Sequence, residues 1–189
     1  MNKKKILFLL FILVAIVQLF VPAKMILDRE DVLKTGKEYK FNVEPIDPSD
    51  PFRGKYITLR FKDTKFDNYT DNKWIRNETV YVIFKLDKKG FAIIDSVSRE
   101  KPIGTEDYLK TKIKYYNNVK YLFNRFYMEE SKAYTAEVLY KESRRDTSKV
   151  TYALVNIKNG KAVLKNVLIN GVSIRELVKE RQLKESQKK

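Results

Sequence analysis

The chain opens with a continuous run of apolar residues before any alternating pattern appears. Residues 6–21 are apolar apart from Gln18, and the apolar character continues past Lys24. A helix needs about 20 apolar residues to cross the hydrocarbon core of a bilayer, and a lysine near its end can extend to the headgroups. The pattern predicts a transmembrane anchor over residues 6–27, preceded by a basic tail over residues 1–5.

A cleaved signal peptide is the alternative, with Val21, Pro22 and Ala23 as the small-residue cleavage site. However, the apolar run is longer than the roughly 7–15 residues of a typical signal sequence. The bulky Phe20 before the site, and the proline within it, make a poor cleavage signature. These features favour the uncleaved anchor.

Basic residues flank the apolar segment on both sides. Lys3, Lys4 and Lys5 precede it, and Lys24 and Arg29 follow. A basic tail directly before a first helix normally stays in the cytoplasm, and a long downstream domain translocates largely regardless of its charge. We therefore expect a single-pass membrane protein with its domain outside the cytoplasm, in the periplasm or at the cell surface.

Short alternating segments follow the anchor and predict one soluble, β-rich domain over residues 36–171. Strands are predicted over residues 38–46, 55–62, 79–86, 91–97, 109–115, 150–157 and 162–169. Two turns join neighbouring strands as hairpins, one over residues 87–90 and one at Asn159 and Gly160. The aromatic segment 119–128 is compatible with a strand or with the start of a helix.

Helical spacing appears at two places in the domain. Ala133, Ala136 and either Leu139 or Tyr140 predict a short amphipathic helix over residues 132–145. A helical basic tail with a frayed polar end is predicted over residues 172–189. The fold class is therefore β-dominated α+β. We expect antiparallel sheets in a sandwich or barrel-like arrangement, with one or two short helices after one N-terminal transmembrane helix.

The chain has no cysteine and no histidine. This excludes cysteine and histidine nucleophiles, a Ser-His-Asp triad and zinc sites built on these residues. Asp47, Asp50, Asp63 and Asp67 lack the regular spacing of a calcium loop, and no glycine-rich phosphate loop is present. No cofactor and no metal are therefore expected.

Serine and lysine could still support a hydrolase. Ser96, Ser98 and Lys101 lie close in sequence, but the alternation of their strand turns both serines toward the surface. No nucleophile and base stand at a diagnostic spacing. A hydrolase using these residues or carboxylates is the weakest of our hypotheses.

The net charge is +15, and the chain beyond residue 27 carries 35 basic and 24 acidic residues, a balance of +11. A basic surface favours lipid headgroups, acidic polymers or nucleic acid as partners. The charges are dispersed along the sequence, and abundant Lys, Asn, Ile and Tyr are typical of an AT-rich genome. Nucleic acid is not expected, because the charge is unclustered and an exported domain does not meet chromosomal DNA.

The densest group of special residues lies between residues 45 and 61. The two prolines and two aspartates of residues 47–51 predict a tight, rigid loop. Gly54, Tyr56 and Leu59 follow, and together with an aromatic residue at position 61 they resemble the motif of the GDYXXLXY protein family. Asp47, Arg53 and the N-terminal apolar segment also fit this family.

The resemblance continues through the rest of the chain. A second aromatic block, with Tyr121, Phe126, Tyr127 and Glu129, is similar to one in the family, as is the closing hairpin that ends at residues 169–171. Two departures occur within the motif: Lys55 replaces the aspartate of the family name, and Phe61 replaces its final tyrosine.

The resemblance implies a membrane-anchored bacterial protein of unknown biochemical function that acts beside a multi-pass membrane protein. For the motif, two interpretations stay open. In one it is structural, with Gly54 at a turn and Arg53 paired to Asp47 or Asp50. In the other, the loop that carries Asp47, Asp50 and Arg53 binds a partner, as rigid loops often do.

We expect a non-catalytic accessory or interaction domain of the cell envelope. Binding of anionic lipid or of an envelope polymer through a basic surface is the alternative.

Overall fold

The computed structural model describes residues 3–44, 56–67, 74–145 and 150–187. The N-terminal apolar segment forms a long helix, α1 (Lys3–Thr35). The domain behind it contains, in chain order, β1 (Lys37–Glu44), β2 (Tyr56–Thr58), β3 (Arg60–Phe61), β4 (Thr79–Leu86), β5 (Ala92–Ser98), β6 (Tyr108–Tyr115), β7 (Asn118–Lys120), β8 (Arg125–Tyr127), α2 (Glu130–Arg145), β9 (Thr151–Lys158), β10 (Lys161–Ile169), β11 (Val172–Ser173) and α3 (Ile174–Ser186).

The helix α1 is long and apolar enough to cross a membrane, a property that an N-terminal signal sequence shares. Its apolar side chains are exposed, whereas Val32 near its end is buried against the domain. The helix therefore continues for two turns beyond the apolar segment and ends in contact with β9 and β10.

Polar contacts fix the end of α1 to the hairpin formed by β9 and β10. Lys158 Nζ donates to Asp31 Oδ2 at 3.2 Å and to Thr35 Oγ1 at 2.7 Å. Lys161 Nζ lies 2.6 Å from Asp28 Oδ2, one turn nearer the apolar segment. The tip of the hairpin thus lies beside the part of α1 that follows its apolar segment.

Three antiparallel sheets are formed by the described residues of the domain. The largest has the strand order β11-β10-β9-β1-β3, the second has the order β5-β4-β6-β7, and β2 pairs with β8 alone. Single bridges join the two larger sheets between Lys40 and Phe91 and between Leu109 and Gly160. The sheets curve together as a half-barrel, which confirms the predicted β-dominated α+β class with antiparallel sheets.

The core lies on the concave side of this half-barrel and follows the period of two in the strands. In β1, Tyr39, Phe41 and Val43 are buried, while the residues between them face outward. Phe41 is central, with ring centroids 5.2 Å from Phe84 and 5.5 Å from Phe123. Edge-to-face rings at such distances add to the stabilisation from apolar burial.

The predicted strand over residues 55–62 is wrong in one respect, because it is broken at Leu59. The backbone N–H of Leu59 donates to the carbonyl of Asn124 at 2.8 Å, so the chain leaves one sheet and joins another. Before this point β2 pairs with β8, and after it β3 pairs with β1. The alternation of apolar residues continues across the break, so the sequence pattern does not reveal it.

The structure also defines the elements in two further segments, residues 119–128 and the C-terminal segment that begins at residue 172. The ambiguous segment 119–128 contains most of β7 and all of β8, separated by a turn. At the C-terminal end, β11 precedes α3, and Ser173 caps the helix by accepting a hydrogen bond from the Arg175 N–H at 3.3 Å. Ile174 and Val178 of α3 are fully buried, so this helix is packed on the domain.

Candidate functional site

The structure brings the motif and the second aromatic block together in the small sheet of β2 and β8. Tyr56 lies opposite Tyr127, and Thr58 lies opposite Arg125. The Tyr56 and Tyr127 rings are 5.4 Å apart, and the Arg125 guanidinium lies 4.9 Å from the centre of the Tyr56 ring. Residues about 70 positions apart in sequence therefore form one surface unit.

The next motif residues point into the core. Leu59 and Phe61 are both buried, and the Phe61 ring lies 5.3 Å from Tyr121 and 5.0 Å from Phe123. Tyr121 donates its hydroxyl hydrogen to the Asp63 carbonyl at 2.8 Å. Burial, reinforced by the Asp63 charge, raises the pKa of Tyr121 far above its ordinary value. The phenol is neutral in the folded protein.

The remaining residues of the second block pack around the two C-terminal helices. Phe126 is buried, with the Arg175 guanidinium 4.8 Å from its ring centre. Glu129 directly precedes α2, where its carbonyl accepts hydrogen bonds from Lys132 N–H and Ala133 N–H. Its carboxylate lies 2.6 Å from Lys132 Nζ, and this contact lowers the Glu129 pKa. Glu129 thus sits at the start of a helix.

The other predicted site residues, Asp47, Asp50, Arg53 and Gly54, lie outside the described residues, as does Lys55. Their assignment as a turn, an ion-paired loop or a partner-binding loop stays a prediction.

A large cleft opens beside the motif. It has a volume of about 1150 Å³ and runs between β10 on one side and β6 with β7 on the other. Asp28, Arg29 and Val32 of α1 line one part of it, and Glu44 and Tyr127 line another. The buried side chains that border the cleft are mainly apolar: Leu59, Phe61, Leu109, Val119, Tyr121 and Phe123.

The charged residues lining the cleft are strongly unbalanced. Among the described lining residues, only Asp28 and Glu44 are acidic, and Asp28 is already paired with Lys161. The nine cationic residues are Arg29, Arg60, Lys62, Lys65, Lys110, Lys114, Lys120, Arg125 and Lys161. Across the described ranges, eight of these nine form no ion pair with a carboxylate, and Lys161 is the exception. The cleft is therefore a concave site with unneutralised positive charge.

Sequence reasoning did not find this cleft, because its cations come from separate segments and look dispersed along the chain. The available signal was Lys110 and Lys114, two exposed lysines of β6 that line the cleft and stand next to buried residues in the alternating pattern. Knowing that β10 faces this part of β6 required the bridge at Gly160, and strand order was not readable from the sequence.

The described part of the chain shows no arrangement of side chains that supports a metal site or a serine nucleophile. There, no three acidic side chains are grouped to hold a metal ion. Ser96 and Ser98 are both exposed, and Ser98 Oγ accepts a hydrogen bond from the Glu100 N–H at 3.0 Å, an ordinary local turn contact.

Comparison with known proteins identifies one family. A family model described as GDYXXLXY protein matches residues 18–167. No curated protein and no solved structure matches the chain. The matched region contains the motif, the second aromatic block and all the residues that line the cleft, and it confirms the resemblance carried by Gly54, Tyr56 and Leu59.

Proposed function

The chain belongs to the GDYXXLXY protein family, whose biochemical role is unknown. We propose that it is a non-catalytic accessory domain of the bacterial cell envelope and that it is anchored in the membrane. In this proposal the domain holds an anionic ligand in its basic cleft. The observation that carries this proposal is the described lining of the cleft, in which nine residues are cationic and two are acidic.

The physical basis is the concentration of positive charge in a concave site. A cleft with walls of low dielectric focuses the field of the side chains that line it and attracts ligands of opposite charge. Lys62, Lys110 and Lys120 are exposed and lack ion-pair partners among the described residues. An anionic group bound in the cleft would neutralise part of this positive charge.

The position of the cleft on the anchor supports a ligand close to the membrane. The apolar segment ends at residue 27, and the lining residues Asp28, Arg29 and Val32 follow on the same helix. At a rise of 1.5 Å per residue, Val32 lies about 8 Å beyond the apolar end along the axis. The contacts of Asp31 and Asp28 with β9 and β10 hold the domain at this distance.

Two parts of the proposal concern the anchor itself, namely that it is not cleaved and that the domain lies outside the cytoplasm. Because the chain has no cysteine, single cysteines can report both. We expect Lys89→Cys, in the exposed turn after β4, to react with a membrane-impermeant maleimide in intact cells. Lys4→Cys should react only after permeabilisation. Its labelled product should have the same size as that of Lys89→Cys, because the anchor is not cleaved. The opposite labelling pattern would place the domain in the cytoplasm.

Ligand binding is tested with the full-length protein in a neutral detergent. The probes are polyphosphate and mixed micelles containing an anionic phospholipid. We expect at least one to bind, with affinity falling as salt rises, and to bind much more weakly to the triple variant Lys62→Gln, Lys110→Gln, Lys120→Gln. The control variant carries Lys88→Gln, Lys89→Gln and Lys184→Gln, which remove the same charge away from the cleft. Equal effects of the two variants would contradict the proposal.

A second candidate role, association with a multi-pass membrane protein, is supported by Gln18. This residue is the single polar side chain among residues 6–21 and lies near the middle of the apolar segment. An amide within hydrocarbon has no water to bind, and transmembrane helices commonly satisfy such groups by hydrogen bonds to a neighbouring helix. We propose that Gln18 donates to or accepts from a polar group of that partner.

The test is purification in mild detergent. A membrane protein that copurifies stoichiometrically should be lost with Gln18→Leu and retained with Ile16→Leu, a change in the same turn. If no such protein accompanies the unmodified chain, this second role is wrong.

A further inference from the structure

The cleft combines two kinds of surface that a purely ionic ligand would not need. Lysine and arginine side chains are exposed around it, whereas its buried lining is aliphatic and aromatic. Exposed apolar side chains also border it: Leu122 is 65% exposed and Tyr127 is 59% exposed. A flexible polyanion would leave these apolar groups in contact with water.

The size of the cleft points the same way. Its volume of about 1150 Å³ is above the roughly 300–1,000 Å³ of common small-molecule sites. A phosphate headgroup alone would occupy a small part of this space. A ligand with an anionic head and an apolar body would fill the remainder and cover the apolar lining.

The third observation is the contact of the cleft with α1. Arg29 and Val32 line it, and both lie on the helix within two turns of the apolar segment. An amphiphile from the adjoining leaflet could reach this end of the cleft with little displacement from the headgroup region, where Lys and Arg attract anionic lipids.

On these grounds, and resting on the proposed anionic-ligand function, we infer that the cleft binds one phospholipid-type anionic amphiphile from the adjoining membrane leaflet. The exposed cations hold its phosphate group. The apolar lining, including Leu122, covers part of its acyl chains.

The experiment uses the full-length protein in neutral detergent and native mass spectrometry. The probes are phosphatidylglycerol, phosphatidylcholine with the same acyl chains, and polyphosphate. We expect one phosphatidylglycerol per protein, in excess over phosphatidylcholine. The amount of lipid bound around α1 should be the same in every variant described below, because none of them changes the apolar segment.

Two variants test the contacts with the lipid phosphate group and the contacts with the acyl chains separately. The triple variant Lys62→Gln, Lys110→Gln, Lys120→Gln should bind phosphatidylglycerol on the order of a hundredfold more weakly, at about fivefold per cation. Leu122→Gln, at an exposed position, should weaken lipid binding several-fold and leave polyphosphate binding unchanged. Leu183→Gln, equally exposed on α3 and outside the cleft, is its control.

Each outcome has one meaning. Polyphosphate binding that depends on the three lysines, without lipid binding, overturns the lipid inference and leaves the proposed function standing. Lipid binding in which Leu122→Gln behaves like Leu183→Gln reduces the site to a headgroup site and overturns the amphiphile inference. Binding of neither probe in a lysine-dependent way overturns both.

Discussion

The ring of Tyr56 lies 5.4 Å from the ring of Tyr127, directly across the ladder that joins β2 to β8. The first tyrosine belongs to the family motif and the second to the aromatic block some 70 residues later. Their contact places these two features at one edge of the basic cleft, which Tyr127 and Arg125 line. The motif therefore builds a wall of the candidate site, in addition to packing the core.

Tyr56 and Tyr127 should be energetically coupled. Aromatic pairs across antiparallel strands contribute about 0.2–1 kcal/mol beyond their separate burial. We expect a double-mutant cycle of Tyr56→Ala and Tyr127→Ala to give a favourable interaction energy in this range. The measurement is urea unfolding of the full-length protein in detergent, followed by the fluorescence of Trp74, which packs 5.6 Å from Phe66.

The matched control for this cycle pairs Tyr56→Ala with Tyr134→Ala. Tyr134 is 75% exposed on α2, and the described ring contact of Tyr56 is with Tyr127 and not with Tyr134. Additive effects are expected for this second pair. A coupling energy for Tyr56 and Tyr127 no larger than that of the control would show that the β2–β8 pairing is not maintained in solution.

The raised pKa of Tyr121 predicts a loss of stability in alkali. Burial favours the neutral phenol in the folded state, whereas in the unfolded chain it ionises near pH 10. Because the folded pKa is the higher one, the associated stability is complete below pH 10 and decreases as the pH rises above that value. The free energy of unfolding should therefore fall above pH 10.

Tyr121→Phe isolates this contribution from those of other tyrosines and lysines. The variant loses the hydrogen bond to the Asp63 carbonyl, and we expect a cost of about 1 kcal/mol at neutral pH. Its unfolding free energy should decline less steeply above pH 10 than that of the unmodified chain. Parallel declines would mean that Tyr121 ionises in the folded state as easily as in the unfolded chain.

Alternation of apolar residues was sufficient to predict much of the domain. The bounds of β4 match the predicted residues 79–86, because Val80, Val82 and Phe84 point inward within an uninterrupted strand. The hairpin at Asn159 and Gly160 was also predicted, since both residues adopt the positive φ angles that such a turn requires, 49° and 80°. These features depend on residues close together in the chain.

What depends on distant residues could not be predicted. The break at Leu59 is set by a hydrogen bond to Asn124, 65 residues later. The clustering of cations needs β10 to lie beside β6 and the end of α1 to lie on β9, and none of these pairings leaves a local pattern. Asp47, Arg53 and Gly54 remain predictions from the resemblance, and Asp50 remains a prediction from the residues of the loop itself.

Phe61, which replaces the final tyrosine of the family name, should be a strong determinant of stability. It is 6% exposed and contacts Phe41, Tyr121 and Phe123. Phe61→Ala should cost about 3–5 kcal/mol by leaving a cavity among these rings, and Phe61→Leu should cost clearly less. Urea unfolding monitored by Trp74 fluorescence measures both. A loss below about 1 kcal/mol for Phe61→Ala would contradict the described packing.

The junction between α1 and the domain depends on Asn156, which is 4% exposed. Its Nδ2 donates to the carbonyls of Leu33 and Gly36 at 3.1 Å and 3.2 Å, which end α1. Asn156→Asp replaces this donor with a carboxylate facing two carbonyl oxygens. We expect it to lower the unfolding free energy by about 3 kcal/mol at neutral pH, and by less in acid, where the buried carboxyl is protonated.

Asn156→Leu is the matched variant, because it leaves the same carbonyls unpaired without adding charge. Its cost should be smaller than that of Asn156→Asp and independent of pH between about 4 and 8, since leucine does not titrate. The two variants should therefore converge as the pH falls, because a protonated aspartate regains one O–H donor for these carbonyls. If their difference stays constant with pH, Asn156 does not face the end of α1, and the helix is not held on β9 by this contact.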